Sequence, residues 1–193
     1  MLTILGIAGA FVYSKLRGAA SGPPLPIITK GLPSFTLTNQ SGQVITQKDL
    51  EKEIHLVDVI FTRCAGPCPK MTRHMAELQS KLPIKFLTIT TDPDFDTPEI
   101  MKRYGEKFGA DFQRWTFLTG SKGEIKRLAR EGLLLVAEEK AAEEKTTPED
   151  LFIHATVFVM LDKHGRVRGQ FDSTEEDFLP RLNRAVKRLS REQ

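Results

Sequence analysis

Cysteine is scarce in this sequence: two in 193 residues, Cys64 and Cys68. That excludes a disulfide-dense scaffold and a four-cysteine zinc site. Histidine is scarce too, with four residues at 55, 74, 154 and 164, so any metal site draws on a short list of donors. Charge of one sign is lacking. Lys and Arg number 28 against 25 Asp and Glu, giving a net charge of +3. No nucleic-acid partner is expected, because such a partner shows as a concentrated basic surface. A full-length membrane span is absent as well. Residues 2–13, LTILGIAGAFVY, carry no charge, but as a helix they reach about 18 Å against a hydrocarbon core of roughly 30 Å. What remains, 40% hydrophobic and 27% charged, suits a packed globular domain.

The apolar N-terminus is followed by Lys15 and Arg17 and then by the run Gly18-Ala-Ala-Ser-Gly-Pro-Pro24. Such a run reads as a tether, because a docked helix needs no flexible linker. Residues 1–24 are therefore expected to be a membrane anchor or signal-like segment plus linker, with a buried helix as the plain alternative. Residues 25–193 form the folded domain. The basic residues after the apolar stretch favour that side as cytoplasmic, which runs against an exported domain.

Along the domain, Phe35–Thr38 and Gln43–Thr46 flank Asn39-Gln-Ser-Gly42 and predict an N-terminal hairpin. Leu56–Phe61 suits a central strand buried on both faces. Pro69–Leu82 reads as a helix, with Pro69 in the first turn and Met71, Met75, Leu78 and Leu82 at helical spacing. Ile84–Thr90 is a further strand. Asp96-Thr-Pro-Glu99 opens a helix with a capping residue, Pro98 at the first helical position and Glu99 in the first turn, and Gly109 ends it. Trp115–Leu118 is a strand, and Ser121 caps a helix through Arg130. Thr156–Leu161 and Val167–Phe171 form a hairpin around Asp162-Lys-His-Gly165. Phe178, Leu182, Val186 and Leu189 mark a last helix, whose basic tail reads as a solvated face. Strands alternating with helices give an α/β sandwich around a mostly parallel sheet, with antiparallel edges from the hairpins. The acidic stretch 138–150 reads as an exposed loop or a solvated helix extension, not a site.

The chemistry rests on Cys64-Ala-Gly-Pro-Cys68-Pro69, placed where the buried strand ends and a helix begins. A helix N-terminus favours thiolate over thiol, and Arg63 and Lys70 would add to this. Cysteines four apart across a loop and a first turn can bring both sulfurs to one rim. There they can form a disulfide or share a soft metal ion. An ordinary structural disulfide is the plain alternative, although one closing so short a loop constrains little chain entropy. Of the histidines, His74 points elsewhere round the helix, His164 sits in a turn, and His55 begins the strand at its far end. His154, just before the strand Thr156–Leu161, is on its own more readily structural than a ligand. A peroxidase would need a threonine three residues before the reactive cysteine, and Thr62 is two before Cys64.

Phe61-Thr-Arg-Cys64-Ala-Gly-Pro-Cys68-Pro-Lys-Met71 resembles the F-T-x-C-x-x-x-C-P-x-M signature of the Sco/SenC copper-chaperone family. Asp92-Pro-Asp-Phe-Asp-Thr-Pro98 resembles that family's D-P-x-x-D-T-P, and Trp115-Thr-Phe-Leu-Thr-Gly120 its W-x-F-L-T-G. His154, 86 residues after Cys68, falls where the family has its ligand histidine. The resemblance covers about residues 32–190. It implies a thioredoxin-like sandwich with a central mixed β-sheet, N-terminal hairpin and flanking helices. It also implies a copper ion held by Cys64, Cys68 and His154, with Asp92 nearby as a supporting group. The implied role is a metallochaperone for the copper centre of cytochrome c oxidase, or for other copper proteins, on a domain tethered by its N-terminus to the outer face of a membrane. The alternative is a thiol–disulfide oxidoreductase in which Cys64 and Cys68 are a redox pair acting on target cysteines, with Cys64, in an exposed loop, as the attacker. The chain departs from the family at the histidine, where Ile153-His154-Ala155 replaces D-H-[ST], and in the acidic stretch before it.

Overall fold

The computed structural model describes residues 23–135 and 156–192. The elements are β1 (Thr36–Asn39), β2 (Val44–Thr46), a 3-10 turn (Gln47–Leu50), β3 (His55–Ile60), α1 (Cys68–Gln79), β4 (Lys85–Thr90), α2 (Pro98–Lys107), β5 (Trp115–Thr119), α3 (Lys122–Arg127) running into a π-turn (Leu128–Gly132), β6 (Val157–Leu161), β7 (Val167–Asp172) and α4 (Phe178–Leu189). Seven strands form one sheet in the order β2-β1-β5-β4-β3-β6-β7. Only the central β3, β4 and β5 run parallel; the other pairings are antiparallel. The sheet is thus mixed rather than mostly parallel, because a hairpin feeds each edge.

Strand alternation builds two cores. Leu56 and Ile60 of β3, Phe86 of β4 and Trp115 and Phe117 of β5 face α1, α2 and α4. Val57, Val59, Leu87, Ile89 and Leu118 face the other way, against α3 and the π-turn. β3 is buried along its whole length, as a central strand must be. α1 buries Met71, Met75 and Leu78. Each such side chain contributes roughly 1.5–3 kcal/mol on full burial.

One boundary differs from the sequence reading. The second helix begins at Pro98 as expected, capped by Thr97, whose side chain accepts from the Ile100 N–H. The helix after Ser121 stops being α-helical at Arg127 and widens into the π-turn. Ser121 caps it as expected.

The register fixes which end of the sheet is which. β3 leads into the cysteine loop after Ile60. Its start, His55, lies opposite Leu161 of the antiparallel β6, and Val57 lies opposite Val159. The β6–β7 turn therefore sits at the end remote from the cysteines. The leading segment is held at that remote end. Arg168, 4% exposed, donates to Asp162 at 3.0 Å, to Glu192 at 2.6 Å and to the carbonyls of Leu25 and Pro26. Among the described residues, no helix is long and apolar enough to cross a membrane. Residues 1–22, where the anchor is expected, lie outside the described residues.

Candidate functional site

After Ile60 the chain turns through Phe61, whose carbonyl accepts from the Cys64 N–H at 3.2 Å. Pro67 caps α1, and its carbonyl accepts from Lys70 and Met71. Cys68 is thus the first residue of the helix and Pro69 lies in its first turn, as the spacing predicts. Both cysteines are thiols with no disulfide between them. Their side chains are hydrogen-bonded to each other, so the sulfurs share one locus.

Cys64 is not in an exposed position. It is 5% exposed and Cys68 3%, while Ala65 and Gly66 between them face solvent. Nor does the helix N-terminus leave Cys68 an acidic thiol. Its pKa is pushed well up, first by the hydrogen bond to Cys64 and then by burial, with only a backbone hydrogen bond at Phe61 pulling the other way. The dipole effect of about half a charge loses to desolvation and to the neighbouring sulfur. Arg63, next to Cys64, is itself paired. Its guanidinium donates to Asp92 Oδ2 at 2.6 Å and lies 4.2 Å from the Phe95 ring. Asp92 is buried and so meets Arg63, the residue directly before Cys64.

The sequence reading missed two further carboxylates. Asp96 is fully buried and accepts from the Thr62 N–H at 3.1 Å, from the Thr62 hydroxyl and from the Thr90 hydroxyl. It ties the segment entering the cysteine loop to the end of β4. Burial holds its pKa above the usual carboxylate range, against those hydrogen bonds. Thr90 in turn accepts from the Asp92 N–H at 2.9 Å. Asp58, within β3, is 0% exposed. Its Oδ1 accepts from Thr88 at 2.6 Å, and Trp115 Nε1 donates to the same Thr88 hydroxyl at 2.9 Å. Burial pushes the Asp58 pKa up to about 7. On the helix side, Thr72 donates to the Cys68 carbonyl and pairs with the Tyr104 hydroxyl, both at 2.9 Å. The signal for Asp58 was a lone acid inside an apolar strand; Asp96 stood only as part of the run that opens the second helix.

His55 is buried at the far end of β3, with its pKa lowered by burial to about 4. His74 packs edge-on against Phe178 of α4 at 5.1 Å. The His164 N–H donates to Asp162 within the turn. None of the three meets the cysteines. His154 and the acidic stretch 138–150 lie outside the described residues. Among the described residues, no three or more of His, Cys, Asp and Glu gather to hold a metal ion. The described donors are two sulfurs, a soft pair suited to Cu(I). The described chain resumes at Thr156, at the sheet end from which the cysteine loop leaves, because β6 runs antiparallel to β3.

Comparison with known proteins agrees with this geometry. The SCO1/SenC family model matches residues 29–189. The SCO1 protein homolog of Bacillus subtilis is 33% identical over 181 residues, covering 91% of each chain. A SCO1/SenC family lipoprotein from Bacillus anthracis is 30% identical with a TM-score of 0.73, over 88% of this chain and 98% of that one. BsSco, described as a member of the Sco family of cytochrome c oxidase assembly proteins with a disulfide switch, is 27% identical with the same TM-score of 0.73, over 89% of this chain and 100% of that one. The sandwich is the thioredoxin-like fold of these structures. With the signature cysteines on one rim and the family match running across nearly the whole domain, the chain belongs to the SCO1/SenC family.

Proposed function

We propose that this protein is a copper-binding metallochaperone. Cys64, Cys68 and His154 would hold the ion, which passes by ligand exchange to the cysteines of a copper centre, that of cytochrome c oxidase in the first instance. The observation that carries this reading is the pair of hydrogen-bonded thiols at one locus. Two soft sulfurs suit Cu(I), and an imidazole extends the site to Cu(II). The antiparallel register of β6 supports His154 as third ligand, since the chain just after it, at Thr156, starts from the cysteine end of the sheet. Asp92 would act through Arg63, fixing the residue next to Cys64. Residues 1–24 would tether the domain to a membrane, with the domain on its outer side.

A second reading is favoured by the same thiol pair: a thiol–disulfide reductase that keeps target cysteines reduced. A solvent-flanked loop leads to Cys64, and a protonated Cys68 sits beside it as the resolving thiol. His154→Ala separates the two. In the copper reading, Cu(II) affinity falls by at least about 10–100-fold, since loss of even a supporting partner costs that much, while Cu(I) stays on the sulfurs. The disulfide potential moves far less. Titration of reduced wild type and variant with Cu(I) and Cu(II), and equilibration against glutathione, checks both. Unchanged affinity for both copper states removes His154 from the site. A large change in potential with no copper defect favours the reductase.

A further inference from the structure

The end of the sheet remote from the cysteines gathers basic and apolar side chains that the copper reading does not use. The leading segment lies along it. The Ile28 N–H donates to the Val167 carbonyl at 2.8 Å, and the Thr29 hydroxyl accepts from the Val167 N–H at 3.0 Å. The Leu25 N–H donates to Glu192 at 3.0 Å, and Arg168 donates to the carbonyls of Leu25 and Pro26. The chain before Leu25 therefore joins the domain at this end. Ile27 and Ile28 are 56% and 45% exposed. Lys30 follows them in solvent, and Gly31 lies against the His164 carbonyl of the β6–β7 turn. The Lys52 N–H donates to the Lys163 carbonyl at 2.8 Å, which brings two more lysines to that turn. α4 ends there as well. Leu189 and Glu192 line a small cleft with Ile54, Lys163 and His164, and Arg191 is exposed beside them. Two acids of this end, Asp162 and Glu192, are taken up by Arg166 and Arg168, while Glu51 and Glu53 stay exposed next to Lys52. The cysteine end has the opposite balance. Asp94, Glu175, Glu176 and Asp177 are exposed there. Its cations Arg63, Lys122 and Arg181 are paired with Asp92, Asp94 and Glu175.

We propose that the remote end is a docking surface for an anionic phospholipid bilayer, with Lys30, Lys52, Lys163 and Arg191 on the headgroups and Ile27 and Ile28 at the boundary of the acyl chains. This rests on the reading of residues 1–24 as a tether. Three observations point to a bilayer. The tether would arrive at this end and at no other, since Leu25 and Pro26 are fixed to Arg168. The charge is complementary: an anionic leaflet attracts each nearby Lys or Arg by about fivefold in affinity. Exposed isoleucines flanked by cations are the composition of a segment that lies in the interface. The acidic cysteine end is repelled by the same leaflet, so the domain has one favoured orientation. β3 runs between the two ends and spans about 20 Å over its six residues. Docking therefore stands the cysteine loop about that far from the membrane and facing away from it. A copper partner has to offer its own cysteines at that height, outside the membrane plane.

The full chain, mixed with nanodiscs of phosphatidylcholine or of equal parts phosphatidylcholine and phosphatidylglycerol, tests this by lysine acylation with a water-soluble reagent, read residue by residue by mass spectrometry. At low salt Lys30, Lys52 and Lys163 should react at least about fivefold more slowly on the anionic discs than on phosphatidylcholine. Salt at about 0.5 M should restore their rates, because it screens charges beyond a few ångströms. Lys70 at the cysteine end and Lys102 on α2 should keep their rates within twofold. Lys30→Gln combined with Lys163→Gln should return Lys52 on anionic discs to within twofold of its phosphatidylcholine rate. Equal rates on the two kinds of disc, whether a second copy of the chain covers the lysines or nothing does, overturn the proposal. Slowing at Lys70 in place of Lys163 overturns it too. Co-migration with the discs separates the tether from the docking surface. A chain that joins both kinds of disc but shows no difference in labelling keeps its tether and loses the docking surface. A chain that joins only anionic discs, reversibly with salt and with Lys30 and Lys163 covered, keeps the docking surface and loses the tether. A chain that joins neither loses both.

Discussion

Asp58→Asn should make the protein more stable above neutral pH, by an amount set by how deeply the carboxyl is buried. Asp58 is 0% exposed, and its pKa rises from 3.8 to about 7. Burial is the larger cause, and it outweighs the Thr88 hydrogen bond. At about 1.4 kcal/mol per tenfold change in proton affinity, this rise corresponds to about 4 kcal/mol. The sign follows from proton counting. Between pH 4 and 7 the folded state holds the Asp58 proton and the unfolded chain has lost it. Stability from this group is therefore full below pH 4 and is lost as pH rises through about 7. Asparagine keeps an acceptor for Thr88 but cannot ionise. Between pH 5 and pH 8, wild type should lose about 3 kcal/mol relative to Asp58→Asn. Urea unfolding under reductant, at pH steps across that range, measures it. Taking the difference between the two proteins also cancels His55, whose lowered pKa acts in the opposite direction as it charges on acidification. Two stability curves that stay parallel within about 0.5 kcal/mol would show that Asp58 is not a buried acid of this kind.

Asp96→Ala should cost about 3 kcal/mol or more, because the Thr62 N–H and the Thr62 and Thr90 hydroxyls lose their acceptor in the core; a loss under about 1 kcal/mol by urea unfolding would mean the loop does not depend on it. Gly105→Ala should destabilise by about 1–3 kcal/mol despite alanine's better helix propensity. The added Cβ would sit 2.8 Å from ring atoms of both Phe112 and Phe117; a rise in the thermal midpoint would contradict that crowding.

The sequence disclosed local elements well and the environment of the chemistry poorly, for identifiable reasons. Pro69 in the first turn and the Met71, Met75 and Leu78 spacing marked α1, because both signals are local. The hairpins were legible from their turns. Gly165 at φ 66 and Gly42 at φ 80 are positions where glycine is favoured. Strand order was not legible. β1 pairs with β5, some 80 residues away, and short edge strands carry no mark of their neighbour. The cysteine motif was legible as chemistry but not as burial. Whether a loop residue is covered depends on what lies against it, here Phe61, Met71 and the Asp96–Thr62 tie, which the chain assembles from three elements. The Asp96-Thr97-Pro98 run offered two caps, and Thr97 takes the role because it directly precedes Pro98 at the first helical position.

Three aspartates with ordinary side-chain chemistry take three separate parts around the cysteine loop, and their surroundings explain the division. Asp92 meets a guanidinium that is 38% exposed, so its pairing with Arg63 is partly screened and orients more than it stabilises. Its effect is to hold the charge beside Cys64 against Phe95. Asp96 has three donors and no exposure, so it acts as a fixed joint between the entry to the loop and the end of β4. Asp58 has one donor and one unoccupied oxygen, so it is the least satisfied and its charge is the easiest to remove. The joint at Thr62 fixes the entry to the loop that carries Cys64, two residues on. The alternative, a pair activated by nearby positive charge, would need Arg63 unneutralised and Cys68 acidic, and the structure has neither. The hydrogen bond to Cys64 and burial therefore hold Cys68 as a thiol, against the pull of the helix N-terminus.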